Sequence, residues 1–261
     1  MNLRWIGAPG AAVLFFLLAG CSGVAATQEP ASWLEGTAWV LDELPGHVLT
    51  APGNVTLQFG GGRASGSDGC NRFAGGFQAD AKALQFSQLA GTQMACEPEV
   101  MAQAGAVTGA LMATRAYRDA GRRLELLGAD GKTVAVYKAQ ELQVEGTAWE
   151  VTGINNGKGG VASLVADTNV TLQFGPESRA SGTAGCNRYT AGYTADKGAL
   201  TFAPAAATRM MCAASGVMEQ EQAFLQALTR VATVRMEGDR LELRAADGAL
   251  MVSARRAAPA P

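Results

Sequence analysis

Histidine is almost missing from this chain: His47 is the single one among 261 residues. Ser/His/Asp triads and most zinc-hydrolase centres need imidazole, so its scarcity removes those readings together. Charge is scarce as well, at 17% of residues against a usual ~25%. A net charge of −2 supplies no basic field for a phosphate backbone, so nucleic acid is not an expected partner. Gly-x-Ser-x-Gly elbows, phosphate loops and dense clusters of metal ligands are absent too. No catalytic residue, metal or cofactor is therefore assigned, and the expectation is a protein that is not an enzyme. What the chain does have is apolar material, 48% of residues, enough for a buried core and too much for general disorder. Its 33 glycines follow no three-residue period, which excludes collagen.

The first 21 residues carry an address. Arg4 is followed by an apolar run, and only 16 residues separate it from Cys21, short of the ~20 needed to cross a bilayer. A positive start, a short apolar segment and small residues after it describe a secretory signal. Its end, Leu18-Ala19-Gly20-Cys21, resembles the bacterial lipobox, in which cleavage precedes a cysteine whose sulfur carries diacylglycerol. Each buried methylene of such chains contributes roughly 0.8 kcal/mol, and two or more chains anchor stably. Residues 1–20 are thus expected to be removed, Cys21 to be lipidated and residues 21–32 to form a tether. Ser22 in place of aspartate leans toward the outer membrane, facing the periplasm. The expected partners are the membrane, through the N-terminal lipid, and an envelope protein or lipid.

Most of the remainder is one module written twice. Gly36-Thr-Ala-Trp39 recurs as Gly146-Thr-Ala-Trp149, and Val55-Thr-Leu-Gln-Phe-Gly60 as Val170-Thr-Leu-Gln-Phe-Gly175. Over Arg63–Phe86 against Arg179–Phe202, 14 of 24 positions are identical without a gap. The offset drifts from 110 to 117 residues through small insertions, the largest in the 153–167 stretch. A period this long makes each copy a self-sufficient domain, at 33–139 and 143–256, with a disordered tail at 257–261. The linker Gln140–Glu145 contains no Gly or Pro and should keep the two copies close.

Within a copy, segments such as Val55–Phe59, Leu124–Leu126 and Thr133–Tyr137 alternate with period two, as half-buried strands do. Val231–Met236 and Leu241–Leu243 read similarly, with Asp130-Gly131, Gly238-Asp239 and Asp247-Gly248 as turn signals. One segment per copy breaks the pattern. Val100, Ala104, Val107 and Leu111 mark a helical stripe, and Phe224, Leu225, Leu228 and Val231 mark another. The expected class is α+β, mainly antiparallel β, with one helix lying over each sheet. Met101, Met112 and Met218 are read as packing residues of those helices.

Setting Cys21 aside leaves Cys70, Cys96, Cys186 and Cys212, with the two cysteines of each copy 26 positions apart. Exported chains meet oxidising conditions, which favours disulfides. Three pairings are possible, and duplication favours Cys70–Cys96 and Cys186–Cys212, because each module had to close its own bridge. Such a loop would be worth about 3.5 kcal/mol in the chain-entropy model. A Cys₄ zinc site is the rival, although close C-x₂-C pairs are missing. A copper(I) reading of Met210-Met211-Cys212 is weighed against methionines packed in the core beside a disulfide.

Trp39, the Phe59 strand, Gly66-x₂-Gly-Cys-Asn-Arg72 and Thr92-x-Met-x-Cys96 before a helix resemble the META domain family. Trp149, Phe174, Gly182-x₂-Gly-Cys-Asn-Arg188 and Thr208-Arg-Met-Met-Cys212 repeat every element. The resemblance implies two tandem small barrel-like antiparallel sheets, each packed with one helix. It also implies cell-envelope residence with links to heat shock and antibiotic tolerance, and it brings no catalytic residues. Asn71, Arg72, Asn187 and Arg188 are the candidate polar ligand contacts, with arginine meeting an anion and asparagine orienting it. Against that, Asn suits a left-handed turn and Arg can cap carbonyls locally. Asp80 and Asp196 match between copies but stand where hairpin tips are expected. The function read from this is a non-enzymatic envelope lipoprotein that binds or stabilises another envelope component. The alternatives are an inhibitor of a secreted hydrolase, using the 153–167 loop, and a lipid-binding, pilotin-like protein. Changing Cys21→Ser should release the protein from the membrane fraction, and unchanged membrane association would remove the lipobox assignment.

Overall fold

The computed structural model describes Met1 and residues 32–258. The expectations for residues 2–31, lipidation at Cys21 among them, and for the tail residues 259–261 lie outside the described residues.

In the first copy, nine strands form one antiparallel sheet. They are β1 (Ala38–Glu43), β2 (Val55–Gly60), β3 (Arg63–Asp68), β4 (Arg72–Ala79), β5 (Leu84–Phe86), β6 (Ala90–Gly91), β7 (Ala116–Asp119), β8 (Arg123–Leu127) and β9 (Thr133–Ala139). The order is β5-β4-β3-β2-β1-β9-β8-β7, with β6 also paired to β4. Its two ends meet. Leu84 N donates to Arg115 O at 3.2 Å and Tyr117 N to Lys82 O at 3.1 Å, beside an Ala83–Ala116 bridge, and the sheet closes as a barrel. Helix α1 (Pro98–Ala113) packs against β3, β5, β8 and β9, with Pro98 in the first turn where its missing N–H costs nothing.

The second copy repeats the plan with β10 (Ala148–Asn155), β11 (Val161–Ser163), β12 (Thr171–Gly175), β13 (Arg179–Thr183), β14 (Arg188–Asp196), β15 (Ala199–Phe202), β16 (Ala206–Ala207), β17 (Thr233–Glu237), β18 (Arg240–Arg244) and β19 (Leu250–Arg256). Here β19 pairs back onto β10 and closes the barrel. Helix α2 (Val217–Thr229) packs on β10, β15 and β19. The 153–167 insertion is not an open loop. Gly153 to Asn155 extend β10, and Val161–Ser163 fold back along them as the exposed strand β11.

Two separate cores account for two domains. Trp39, Leu57, Phe59, Leu111 and Tyr137 belong to one, and Trp149, Leu172, Phe174, Phe224 and Leu228 to the other. Each tryptophan is buried and gives its indole N–H to a threonine two residues earlier, Thr37 at 2.8 Å and Thr147 at 2.7 Å. Burial of these aromatic rings supplies much of the apolar driving force, and the paired N–H avoids the cost of an orphan donor.

The methionines depart from expectation. Met101 and Met112 are exposed rather than packed, because the buried face of α1 runs through Gln103, Ala104, Val107, Ala110 and Leu111. Met94, Met210 and Met211 are exposed too, so they are not core residues beside the disulfides. Strand β17 begins at Thr233, two residues after the expected start.

Tyr137 is fully buried on β9, and its hydroxyl has no hydrogen-bond partner among the described residues. Burial pushes its pKa well above the ordinary phenol value. Below pH ~10 the ring is neutral folded or unfolded, whereas above it the unfolded chain ionises first and stability falls. Tyr137→Phe should raise stability by about 1 kcal/mol in chemical denaturation at neutral pH, by removing an unpaired buried hydroxyl. It should also make the alkaline loss of stability shallower, leaving the part due to Tyr189, whose phenol burial likewise raises. A loss of stability on Tyr137→Phe at pH 7 would show that the hydroxyl is satisfied.

Candidate functional site

Both cysteine pairs join within their own domain, Cys70 to Cys96 with Cα atoms 6.0 Å apart and Cys186 to Cys212 with 6.2 Å. Each bridge ties the turn between two strands to the segment entering the helix. The residue before each first cysteine is a glycine with left-handed backbone, Gly69 at φ 101° and Gly185 at φ 104°. A side chain there would also press on the carboxamide of Gln103 or Gln220.

The asparagines of the two turns are spent on the same task. Asn71 Oδ1 accepts the Thr92 hydroxyl at 3.0 Å and the Met94 amide at 2.7 Å. Asn187 Oδ1 accepts the Thr208 hydroxyl and the Met210 amide, both at 2.7 Å. Asn187 is wholly buried. The matched Asn–Thr pairs thus brace the chain leading to the second cysteine, and neither Asn oxygen faces an open ligand site.

One partner has changed place between copies. In the first domain Asp68 Oδ1 accepts the amides of Cys70 at 2.9 Å and of Asn71. The second domain has Ala184 at that position, and Glu221 takes over the asparagine amide from α2. Its Oε2 accepts the Asn187 amide at 2.9 Å and its Oε1 the Asn187 side-chain N–H at 3.1 Å. The residue matching Glu221 on α1 is Ala104, since Gln103 and Gln220 occupy equivalent contacts under Gly69 and Gly185. A carboxylate from strand or helix satisfies the same buried turn, and whichever position is not used is alanine.

The arginines part company. Arg72 leaves its own domain: Nη2 donates to Glu237 Oε2 at 2.7 Å, an acid at the end of β17 in the second domain. Glu237 is 7% exposed, and its other oxygen accepts the Thr56 hydroxyl at 3.1 Å, while Arg235 adds a contact at 3.1 Å. The β17–β18 turn is seated by its backbone as well. Gly238 N donates to Gln140 Oε1 at 3.0 Å and Asp239 N to Gly53 O at 3.0 Å. A side chain on Gly238 would collide with the Gly53 backbone and Gly238 has positive φ, so that position demands glycine, whereas one on Gly53 would press only on the Asp239 carboxylate. Arg188, the counterpart of Arg72, is exposed and its guanidinium has no partner among the described residues.

Sequence reasoning placed the four turn residues but missed Glu237, Thr56 and Glu221. The available signal was an unmatched acid: Glu237 stands opposite Ala120 of the first copy. Asp80 Oδ1 accepts the amides of Lys82 and Ala83, at 2.8 and 2.7 Å, and Asp196 enters the β14–β15 turn, so both do stand at hairpin tips. No group of three or more His, Cys, Asp or Glu side chains able to hold a metal lies among the described residues.

A model of the META domain family matches this chain twice, over residues 32–141 and 140–258. Among solved structures, the chain is similar to an NMR structure of a protein from Burkholderia xenovorans. The two are 26% identical over 44% of this chain and 85% of that one, with a TM-score of 0.38. A second NMR structure is 25% identical over 42% of this chain and 88% of its own, with a TM-score of 0.33. No curated protein matches the chain.

The exchanged carboxylates make a direct test. Asp68→Ala should destabilise the first domain by about 1–3 kcal/mol, through the buried Cys70 amide and the partly buried Asn71 amide left without an acceptor. Adding Ala104→Glu to that variant should restore the share of the loss due to the Asn71 amide in urea denaturation. If the double variant is no more stable than Asp68→Ala alone, the two acids are not interchangeable.

Proposed function

The chain belongs to the META domain family, as two tandem domains, and from that premise we propose that it is a non-enzymatic lipoprotein of the bacterial cell envelope. In this reading it is held through lipid on Cys21, at the outer membrane facing the periplasm. It binds or stabilises another envelope component in stress or antibiotic tolerance. The observation that carries the reading is the use both copies make of their shared motif. Cysteine, asparagine and threonine, the polar residues common to the two turns, are consumed in bracing the fold. A duplicated brace suits a rigid display of surface more than a duplicated reaction centre.

A hydrolase inhibitor is the second reading, favoured by the hairpin of β10 and β11, which presents Val161–Ser163 as an exposed strand on a disulfide-braced domain. A lipid-holding role draws less support, since Trp39, Phe59, Tyr137, Trp149 and Phe174 occupy the two interiors. Crosslinking in intact envelopes followed by capture of the lipidated chain tests these alternatives. A reproducible envelope partner, lost when Cys21→Ser releases the protein, is the expected outcome. Capture of a secreted hydrolase alone would favour inhibition, and turnover abolished by changing Asp80 or Asp196 would overturn the non-enzymatic reading.

A further inference from the structure

The notch that receives Glu237 in the first domain exists a second time, and there it is open. In the first domain the Thr56 hydroxyl accepts the Ser67 amide at 3.0 Å, which turns its own proton outward to Glu237. In the second domain the Thr171 hydroxyl accepts the Thr183 amide, also at 3.0 Å. Its proton has no acceptor among the described residues. Gly182 stands in place of Gly66 and Arg188 in place of Arg72. Burial records the difference: under the β17–β18 turn Thr56 is 1% and Ser67 8% exposed, while Thr171, Gly182 and Thr183 are only half-buried. With Arg188 they border an open recess of about 370 Å³.

We propose that this recess is a second carboxylate-binding notch, which docks a glutamate side chain presented by a partner protein. It names a contact for the binding role proposed above, and rests on that role for the existence of a partner. The chemistry follows from the donors. A guanidinium offers only N–H groups, and a hydroxyl already accepting from a backbone amide offers its proton, so the complement is an anionic oxygen pair. The first domain displays that complement in place, with one carboxylate oxygen on Thr56 and the other on Arg72.

The surrounding residues decide what carries the carboxylate. Thr168 replaces Gly53, and Ala257 replaces Gln140, so the acid-holding half of the notch is kept while the half that seats the Gly238-Asp239 backbone is not. The occupant therefore brings a glutamate on a different backbone. A second copy of this chain fits poorly. Its own Glu237 is already engaged, and the matching turn of its first domain reads Ala120-Gly121-Arg122, with alanine where the acid stands.

The test uses the full-length chain carrying Cys21→Ser, titrated with a short linear peptide, capped at both ends, that carries a single glutamate between glycines. Amide chemical shifts of Thr171, Thr183 and Arg188 are followed. The glutamate peptide should shift these amides, and Arg188→Ala should weaken binding at least fivefold, as should glutamine for glutamate in the peptide. Arg188 is exposed, so its replacement leaves the fold intact. Equal binding by Arg188→Ala or by the glutamine peptide would overturn the proposal. Acetate reproducing the same shifts at the same concentration would also overturn it, in favour of a free carboxylate. Concentration-dependent shifts at Arg188 without peptide would do so in favour of a second copy. Peptide binding that persists when no envelope partner is captured would support the notch while the broader role fails. Capture of a partner equally by wild type and Arg188→Ala would do the reverse.

Discussion

One buried carboxylate holds the two halves of this protein in a defined orientation. Glu237 is almost excluded from water, and a charge in that position is tolerable only where its oxygens are met by donors. Thr56 and Arg72 of the first domain supply them, with Arg235 from its own strand. Arg72 itself is about half exposed, so solvent screens the pair, and its contribution to stability is smaller than a fully desolvated ion pair would give. Its contribution to orientation is larger. Any other placement of the second domain gives up these donors and returns the acid to water, and a Cβ at Gly238 would run into the Gly53 backbone in this pose. Two domains with separate cores, joined by a linker of a few residues, are thereby held as a unit.

The Cys-Asn-Arg turns illustrate how duplication preserves a physical need while changing the residue that meets it. A backbone amide buried beside a disulfide must find an acceptor. Asp68 provides it from β3 in one copy, and Glu221 provides it from α2 in the other. The geometry of acceptance is retained, and the chain position of the carboxylate is not. A related exchange touches the helix glutamines. Gln220 Nε2 donates to Thr168 Oγ1 at 3.0 Å, whereas glycine at the matching position 53 leaves Gln103 Nε2 without a partner among the described residues. The first domain thus lacks a hydrogen bond that its sister keeps.

Much of the fold was legible because it is local or repeated. Period-two alternation located β2, β8, β9 and β18, and the helical stripe of Phe224, Leu225 and Leu228 lies on α2, with Val231 just past its end. The even cysteine spacing, combined with duplication, led to the intradomain bridges. What escaped notice is what no local pattern encodes. Strand β11 is a short, wholly exposed segment without alternation. Met101 looks like a packing residue by type and spacing, yet it lies at the margin of the α1 face, 3.7 Å from Cys70 Sγ and open to water. The Arg72–Glu237 contact joins residues 165 apart in sequence, in different domains, and depends on an orientation that neither repeat specifies alone.

The contrast between Arg72 and Arg188 also bears on how strong any contact at the open notch must be. Within one chain the two domains are presented to each other at the high effective concentration that a short linker imposes, roughly millimolar or more. A single arginine–carboxylate pair of modest intrinsic strength then suffices, helped by the bonds that the Gly238 and Asp239 amides donate to Gln140 Oε1 and Gly53 O. The second notch has Ala257 and Thr168 in those places and must work between molecules, so the pair alone would give only weak association. A physiological partner must add apolar or backbone contacts around the recess, or be held near it. Confinement to the same membrane surface through lipid on Cys21 would provide that nearness. The anchor and the open arginine would then act as parts of one binding device, with the lipid raising local concentration and the notch choosing among acidic surfaces.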